Sequence, residues 1–466
     1  MSAEAVSVEV QKPSRTRYWV VAFAVSLAVI QYVDRVCISQ SKRDIQHDLK
    51  LDDPTMSWVM GAFGLAYALF EIPSGWMGDR YGPRQALIRV VLWWSFFTIL
   101  TGATGGFMSL VAVRFLFGAG EAGCFPNLTR SFVNWLLPAE RVRAQSILWL
   151  SARWGGAFTP LLVLAVLNAL KSHGYTQAWR QSFFIFGIPG IIWVVVFALW
   201  FRDNPKDHPG VNEAEKKLLA PNNKYAESHA TVPWRLFIAS KSAWLLWAQY
   251  FCVSYVWYFY ITELPKYLTT HYGKDSLTVP AGTYSETFLT QISCMPLFFG
   301  GIGCMVSGFV TKRLASQIGL PKARRLLATT GLLGTAACIA FIALSDLTQL
   351  SPLAFGFALG GASMCSDFTM PCSWGGCMDV GGRFAGTFSG SMNMMGNLAG
   401  FLCPVVVGHI YGNWNFFFWT MSGTAFLGAM CWLKLDAVTP LDGGAAEVHP
   451  DEFVPKDVPA AAIEEL

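Results

Sequence analysis

The sequence predicts an all-α membrane protein, with twelve membrane-crossing helices in two related bundles of six. Three observations carry this expectation. The 466-residue chain is 53% hydrophobic and only 14% charged, where soluble domains carry roughly 25% charged residues, and its mean hydropathy is +0.40. Apolar runs recur along the whole length, each long enough to cross about 30 Å of hydrocarbon at 1.5 Å per residue. A loop motif that follows the second run returns after the eighth. The runs are continuous rather than alternating, which excludes the strands of an outer-membrane barrel.

In chain order the runs are 18–38, 56–78, 86–106, 108–130, 144–170, 181–201, 242–263, 286–311, 323–344, 350–374, 384–411 and 414–434. Residues 1–17 form a polar tail, and no small-residue cleavage site follows the first run, so it reads as a membrane helix rather than a removed signal. The longest polar stretch, 202–241, contains "RDNPKDHPGVNEAEKKLLAPNNKY" and reads as a linker with at most a short surface helix. The expected units are therefore 18–201, the loop 202–241, 242–435, and a tail 436–466. Of the 34 Lys and Arg residues, 24 fall on the side of the N-terminus and seven on the other. Positive charge stays in the cytoplasm, so both termini and the central loop are expected there, in a cell membrane.

"PSGWMGDRYGPRQ" (Pro73–Gln85) and "VSGFVTKRLASQIGLPKARR" (Val306–Arg325) share Ser-Gly-aromatic followed by a basic turn. A repeat at this spacing marks a transporter built from two related halves, with its site between them near the midplane.

Three arginines lie inside apolar runs. In "IQYVDRVCIS", Asp34 and Arg35 are adjacent, although one charge at the centre of a membrane helix costs about 2.5–3.5 kcal/mol. Neighbours in a helix point about 100° apart, so each needs a partner elsewhere: Arg114 or Arg153 for Asp34, and Glu121 or substrate for Arg35. Arg114 and Glu121 are two turns apart on one helix face, either an anion-binding cation above a protonatable carboxylate or a pair that only holds the bundle. Arg153, in "SARWGGAFTPLLV", is a further candidate ligand for a carboxylate or a neutraliser of Asp34 or Glu121. Asp367 pairs with Arg153 or marks a helix break before Pro371. Glu71 and Arg89 read as supports near the cytoplasmic helix ends. With Asp34 and Glu121 ionised the three arginines leave a net charge of +1, and with both protonated +3, so protonation attracts an anion. Gln31, Tyr32, Tyr67, Gln249, Tyr258, Ser373, Trp374 and Asn393 are candidate readers of substrate hydroxyls.

Other classes find no support. No phosphate-cradling G-x-x-x-x-G-K-[ST] and no nucleic-acid motif occurs. The eleven cysteines are scattered without a C-x-x-C pair, so neither a disulfide framework nor a metal site is expected.

Gly75, Asp79, Arg80, Gly82 and Arg84 form G-x-x-x-D-R-x-G-x-R, which resembles the loop signature of the major facilitator superfamily. "YVDR" (Tyr32–Arg35), "RFLFGAGEAGCFPN" (Arg114–Asn127) and "CMDVGGRFAGTFSGSMNMMGNLAG" (Cys377–Gly400) resemble its anion:cation symporter family, which carries galactonate, glucarate and hexuronate among other acids. The resemblance spans essentially residues 15–435. It implies the major facilitator fold, Asp34 and Glu121 as the proton-coupling pair, Arg114 as the main anion ligand, and Tyr32, Tyr67 and Asn393 as sugar-acid contacts. The expected protein is then no enzyme and needs no cofactor. It is a monomeric secondary transporter in contact with lipid, moving an organic carboxylate, above all a sugar acid, together with protons. A carrier of another mono- or dicarboxylate, an uncoupled facilitator and a non-transporting sensor are the alternatives.

Overall fold

A chain in hydrocarbon must satisfy its own backbone hydrogen bonds, so every apolar run becomes a helix. The computed structural model describes residues 12–220, 232–273, 284–345, 350–409 and 413–441 and contains no strand among them. The expectations for 1–11 and 442–466, the ends of the two tails, lie outside the described residues. The first bundle comprises α1 (Arg17–Leu49), α2 (Asp53–Tyr81), α3 (Pro83–Gly102), α4 (Phe107–Glu121) continued by α5 (Cys124–Trp135), α6 (Pro138–Ser172) and α7 (Ala178–Trp200). Among its described residues the central segment holds two short α-helices, α8 (Glu213–Leu219) and α9 (Trp234–Ala239). The second bundle comprises α10 (Lys241–Thr262) continued by α11 (Leu264–Tyr272), α12 (Glu286–Ile318), α13 (Leu320–Leu344), α14 (Pro352–Asp367) continued by α15 (Thr369–Gly381), α16 (Ala385–His409) and α17 (Trp414–Leu433).

Among the described residues, eight helical spans are long and apolar enough to cross a membrane. The crossings that fall short, made by α2, α10, α14–α15 and α16, are richer in small, polar or amphipathic aromatic residues, and all four contribute to the central cavity. The fourth and tenth crossings are each interrupted by a turn, at Ala122–Gly123 and at Phe368. An acidic residue closes the helix before each turn: Glu121 and Asp367.

The bundles meet along α2 against α16 and α6 against α12. The repeated Ser-Gly explains both contacts. A Cβ on Gly75 would overlap the Gly386 backbone of α16, and a Cβ on Gly308 would overlap Ser146 of α6. The repeated turns also match, since Gly82 (φ 86°) and Gly319 (φ 83°) each end one helix and start the next in a conformation that only glycine adopts without strain.

Charges fasten the same end of the molecule, the end that carries Arg17 and the central segment. The N–H groups of Gly386 and Thr387 and the Thr387 hydroxyl donate to the Asp79 carboxylate at 3.0, 2.6 and 2.7 Å. These are first-turn donors of α16 that have no partner within their own helix. Arg130 lies 3.5 Å from Asp79. Asp379 takes Arg141 of α6 and Arg324 of α13, both at 2.7 Å. At the other end of α2, Gly61 and Gly64 have no described neighbour within 4 Å where a Cβ would stand.

The central segment is more than a solvated linker. Asn212 caps α8, and Glu215, wholly buried, takes Arg17 Nη1 at 2.8 Å and the Ser14 hydroxyl at 2.5 Å. Arg17 Nε also reaches Glu140 of α6 at 3.0 Å. Removing one partner of a buried pair costs about 3–5 kcal/mol. Glu215→Ala should therefore lower the thermal midpoint, while Glu213→Ala on the exposed face of α8 leaves it unchanged. A thiol-reactive dye reads this directly, because all eleven cysteines are free and most are buried until the protein unfolds.

Candidate functional site

Between the bundles lies a cavity. The first bundle lines it with Tyr32, Arg35, Tyr67, Phe125, Trp149 and Arg153, and the second with Tyr250, Val253, Ser254, Trp257, Tyr258, Met370, Asn393, Gly396 and Asn397. Helical spacing groups these residues. Trp149 lies one turn before Arg153 on α6, and Asn397 one turn after Asn393 on α16. Tyr258 donates to Asn397, and Tyr250 donates to Asn393 at 3.3 Å.

Of the two cations that line this space, Arg35 is the more exposed. Its side chain is 21% exposed, against 1% for Arg114 and 2% for Arg153. Its Nε and Nη2 lie 2.7 and 2.6 Å from Glu121 Oε1, and Gln31 Nε2 donates to the same oxygen at 2.9 Å. Glu121 Oε2 has no partner. The rings of Tyr67, Phe63 and Tyr32 surround the guanidinium at 4.7, 5.3 and 5.5 Å, so cation–π attraction replaces part of its hydration.

Arg114 sits elsewhere. It packs on Phe117 at 4.3 Å and on Phe63 at 5.2 Å, forms no salt bridge among the described residues, and does not line the cavity. Phe63 thus stands between the two arginines. Asp34 faces Trp94, Arg114 and Glu121, and no salt bridge reaches it among the described residues.

Arg153 does not neutralise Asp34 or Glu121. Its Nε and Nη2 grip both oxygens of Asp367 at 2.8 and 2.9 Å. This bidentate pair joins α6 of one bundle to the end of α14 in the other and decides the role of Asp367: it is the counter-charge of Arg153. Glu71 is likewise not a support at a helix end. It lies about 15 Å inside α2 by helical rise, wholly buried, and accepts from Asn393 of the opposite bundle. Its position one turn after Tyr67 was the sequence signal for this placement. With Glu71 and Asp367 counted, three arginines face four carboxylates, and the cluster nets −1 when all are ionised rather than +1.

Four expected hydroxyl readers do not line the cavity: Gln31, which bonds Glu121, and Gln249, Ser373 and Trp374, which lie behind the wall. Gln249 accepts from Ser373 and Trp432, each at 3.1 Å, and donates to the Leu246 carbonyl. Trp374 donates to Tyr250 at 3.3 Å and packs on Trp149. A buried polar group must find a partner, and here the second bundle supplies it internally. Tyr32, Tyr67, Tyr258 and Asn393 do reach the cavity. Of the loop motif, Gly75 and Asp79 form the contact between bundles, Gly82 the turn, and Arg80 stays near the Trp76 and Tyr81 rings. Arg84 ties the loop to the central segment, its N–H donating to Asp203 at 2.8 Å.

The profile of the Major Facilitator Superfamily matches residues 24–404. The chain belongs to the major facilitator superfamily. It is a membrane transporter, not an enzyme. It is 30% identical over 438 residues to a probable sulfoacetate transporter of Cupriavidus necator, covering 92% of this chain and 96% of the relative. It is 29% identical over 424 residues to a probable galactarate/D-glucarate transporter of Bacillus subtilis, covering 86% of each. The backbone superposes on a proton:xylose symporter bound to 6-bromo-6-deoxy-D-glucose with a TM-score of 0.71, covering 91% of this transporter and 97% of the symporter. At 13% identity that likeness speaks to the fold alone. The relatives' substrates agree with the resemblance carried by "YVDR" and the fourth-crossing motif.

The Arg153–Asp367 pair supports a double-mutant cycle. Arg153→Met or Asp367→Leu alone leaves a bare buried charge and should cost about 3–5 kcal/mol, whereas the double variant should come close to wild-type stability. Thermal midpoints in detergent, followed with the thiol dye, check this.

Proposed function

We propose that this transporter is a proton-coupled symporter of an organic carboxylate, above all a hydroxylated sugar acid, working by alternating access with both termini in the cytoplasm of a cell membrane. The observation that carries the reading is the Arg35–Glu121 pair at the cavity wall. A carboxylate substrate needs the Arg35 fork, which binds such groups bidentately, and Glu121 already occupies it. Protonating Glu121 withdraws that competitor, so an anion and a proton are accepted together. When the cavity opens to the other side, Arg35 returns to Glu121, and both anion and proton leave. Asp34, which no salt bridge reaches among the described residues, is the second carboxylate of this step. Asn393, Asn397 and Tyr258 supply polar contacts for hydroxyl groups.

A second reading concerns the cargo. Phe125, Trp149, Tyr250 and Trp257 make the walls largely aromatic, and this favours an acid with few hydroxyls, such as an aromatic acid or a short dicarboxylate. The relatives named for galactarate/D-glucarate and for sulfoacetate bracket the two possibilities, and both compounds belong in one assay.

Purified protein in liposomes, with the outside acidic, should accumulate labelled galactarate or sulfoacetate against its gradient, and collapsing the pH gradient should abolish the accumulation. Uptake that ignores the pH gradient identifies an uncoupled facilitator instead. Glu121→Gln, which frees Arg35 permanently, should abolish uphill uptake yet retain exchange of internal for external anion. Arg35→Ala should lose uptake and exchange alike, by about 100-fold or more if one charge-assisted bidentate contact is worth roughly 3 kcal/mol. Arg114→Ala tests the alternative anion site implied by the family resemblance; normal exchange in that variant assigns the anion to Arg35.

A further inference from the structure

Glu71 has no place in the cycle just described, yet it is a wholly buried carboxylate at the contact between the bundles. Its Oε1 accepts from Asn393 Nδ2, the Tyr67 hydroxyl stands beside the carboxylate, and no cation is bonded to it among the described residues. The backbone of α16 lies directly against it, since a Cβ on Gly390 would overlap the Glu71 carbonyl. The titratable groups that face it are Tyr67 on its own helix, Arg35 of α1, Glu121 of α4, Cys124 of α5, and Tyr250 and Tyr258 of α10. The one cation among them, Arg35, is engaged by Glu121. No salt bridge reaches Glu71 among the described residues.

The four buried carboxylates therefore divide. Glu121 has Arg35 and Asp367 has Arg153, whereas Asp34 and Glu71 have no arginine bonded to them. An ionised carboxylate buried without a bonded cation costs several kcal/mol, and in practice such a group takes a proton. Two protons, one on each unpaired carboxylate, bring the cluster from −1 to +1, the charge that attracts a single anion.

We propose that Glu71 is an additional proton-carrying residue of the transport cycle, loaded while α2 is closed on α16 and unloaded when they part. The proton arrives through the cavity, which Asn393 lines beside it. Separation of α2 from α16 admits water from the terminal side, the Glu71 O–H bond breaks, and the proton passes to that water. The burial of Glu71 thus ties its protonation to which side is open. This role rests on the proton-coupled reading above and adds one proton to the count.

Infrared spectroscopy of the substrate-free protein at neutral pH tests it, because a protonated carboxyl has a C=O stretch separate from the amide bands. The wild type should show at least two such bands. Glu71→Gln, which still offers Asn393 an acceptor, should lose one, and Asp34→Asn should lose another. Gly75→Leu, which cannot close α2 on α16, should lose the Glu71 band while keeping its glutamate. A wild-type spectrum with fewer than two bands, or a Glu71→Gln spectrum that matches wild type, overturns the assignment. A Glu71 band that persists in Gly75→Leu overturns the switch. Because no anion is added, the result is separable from the liposome assay. A Glu71 band combined with pH-indifferent uptake defeats the coupling reading, whereas pH-driven uptake without a Glu71 band defeats this one alone.

Discussion

A guanidinium inside hydrocarbon must have a carboxylate or an aromatic face beside it, and this requirement organises the centre of the molecule. Arg35 finds Glu121 and three rings, Arg153 finds Asp367, and Arg114 settles on Phe63 and Phe117. Both paired carboxylates stand at the last residue of a helix that a turn interrupts. Negative charge is disfavoured at a helix C-terminus, so neither position would suit an unpaired acid. The arginine from a neighbouring helix compensates the charge and the dipole together. The fourth and tenth crossings are equivalent in the two bundles, and so are the first and seventh, but the arginines come from the first and fifth. The symmetry of the backbone is thereby broken at the charges.

The paired bundles depend on a second constraint, the approach of backbones. Gly75 and Gly308 hold equivalent places in the repeated loop motifs, and each lets its helix touch the opposite bundle. The repeated loop motif is therefore also a contact surface. Asp79 exploits the same closeness, reaching N–H groups of α16 that only a near helix end can present.

Much of this was legible in the sequence because it is periodic. Twelve apolar runs, the repeat and the concentration of ionisable residues in the first, fourth and fifth crossings all follow from spacing and hydropathy. Partner choice was not legible. A Gln or Ser in an apolar run reads the same whether it serves a ligand or a neighbouring helix, and Gln249 and Ser373 serve each other and Trp432. Asp34 and Arg153 looked complementary by charge, but their partners depend on how α6 meets α14, which no local pattern encodes. Glu71 was misplaced because it stands four residues before the loop motif and invites assignment to it. Its register with Tyr67 pointed inward.

Depth separates ion pairs that can break from those that cannot. Asp79 and Asp379 lie at the end of the molecule that carries the central segment, 7% and 8% exposed. If, as proposed, the bundles part there, water replaces the lost partners and the net cost is small, as it is for pairs near a surface. Arg153 and Asp367, each 2% exposed and joined through both oxygens, have no such substitute. Breaking them would leave two bare charges in a low dielectric, at a cost of about 3–5 kcal/mol. On the proposed cycle this pair therefore stays intact and marks the axis about which the bundles rock. The Arg35–Glu121 pair lies between these extremes. It is deep enough to need a partner at all times, and exposed enough to the cavity for a substrate carboxylate to become that partner.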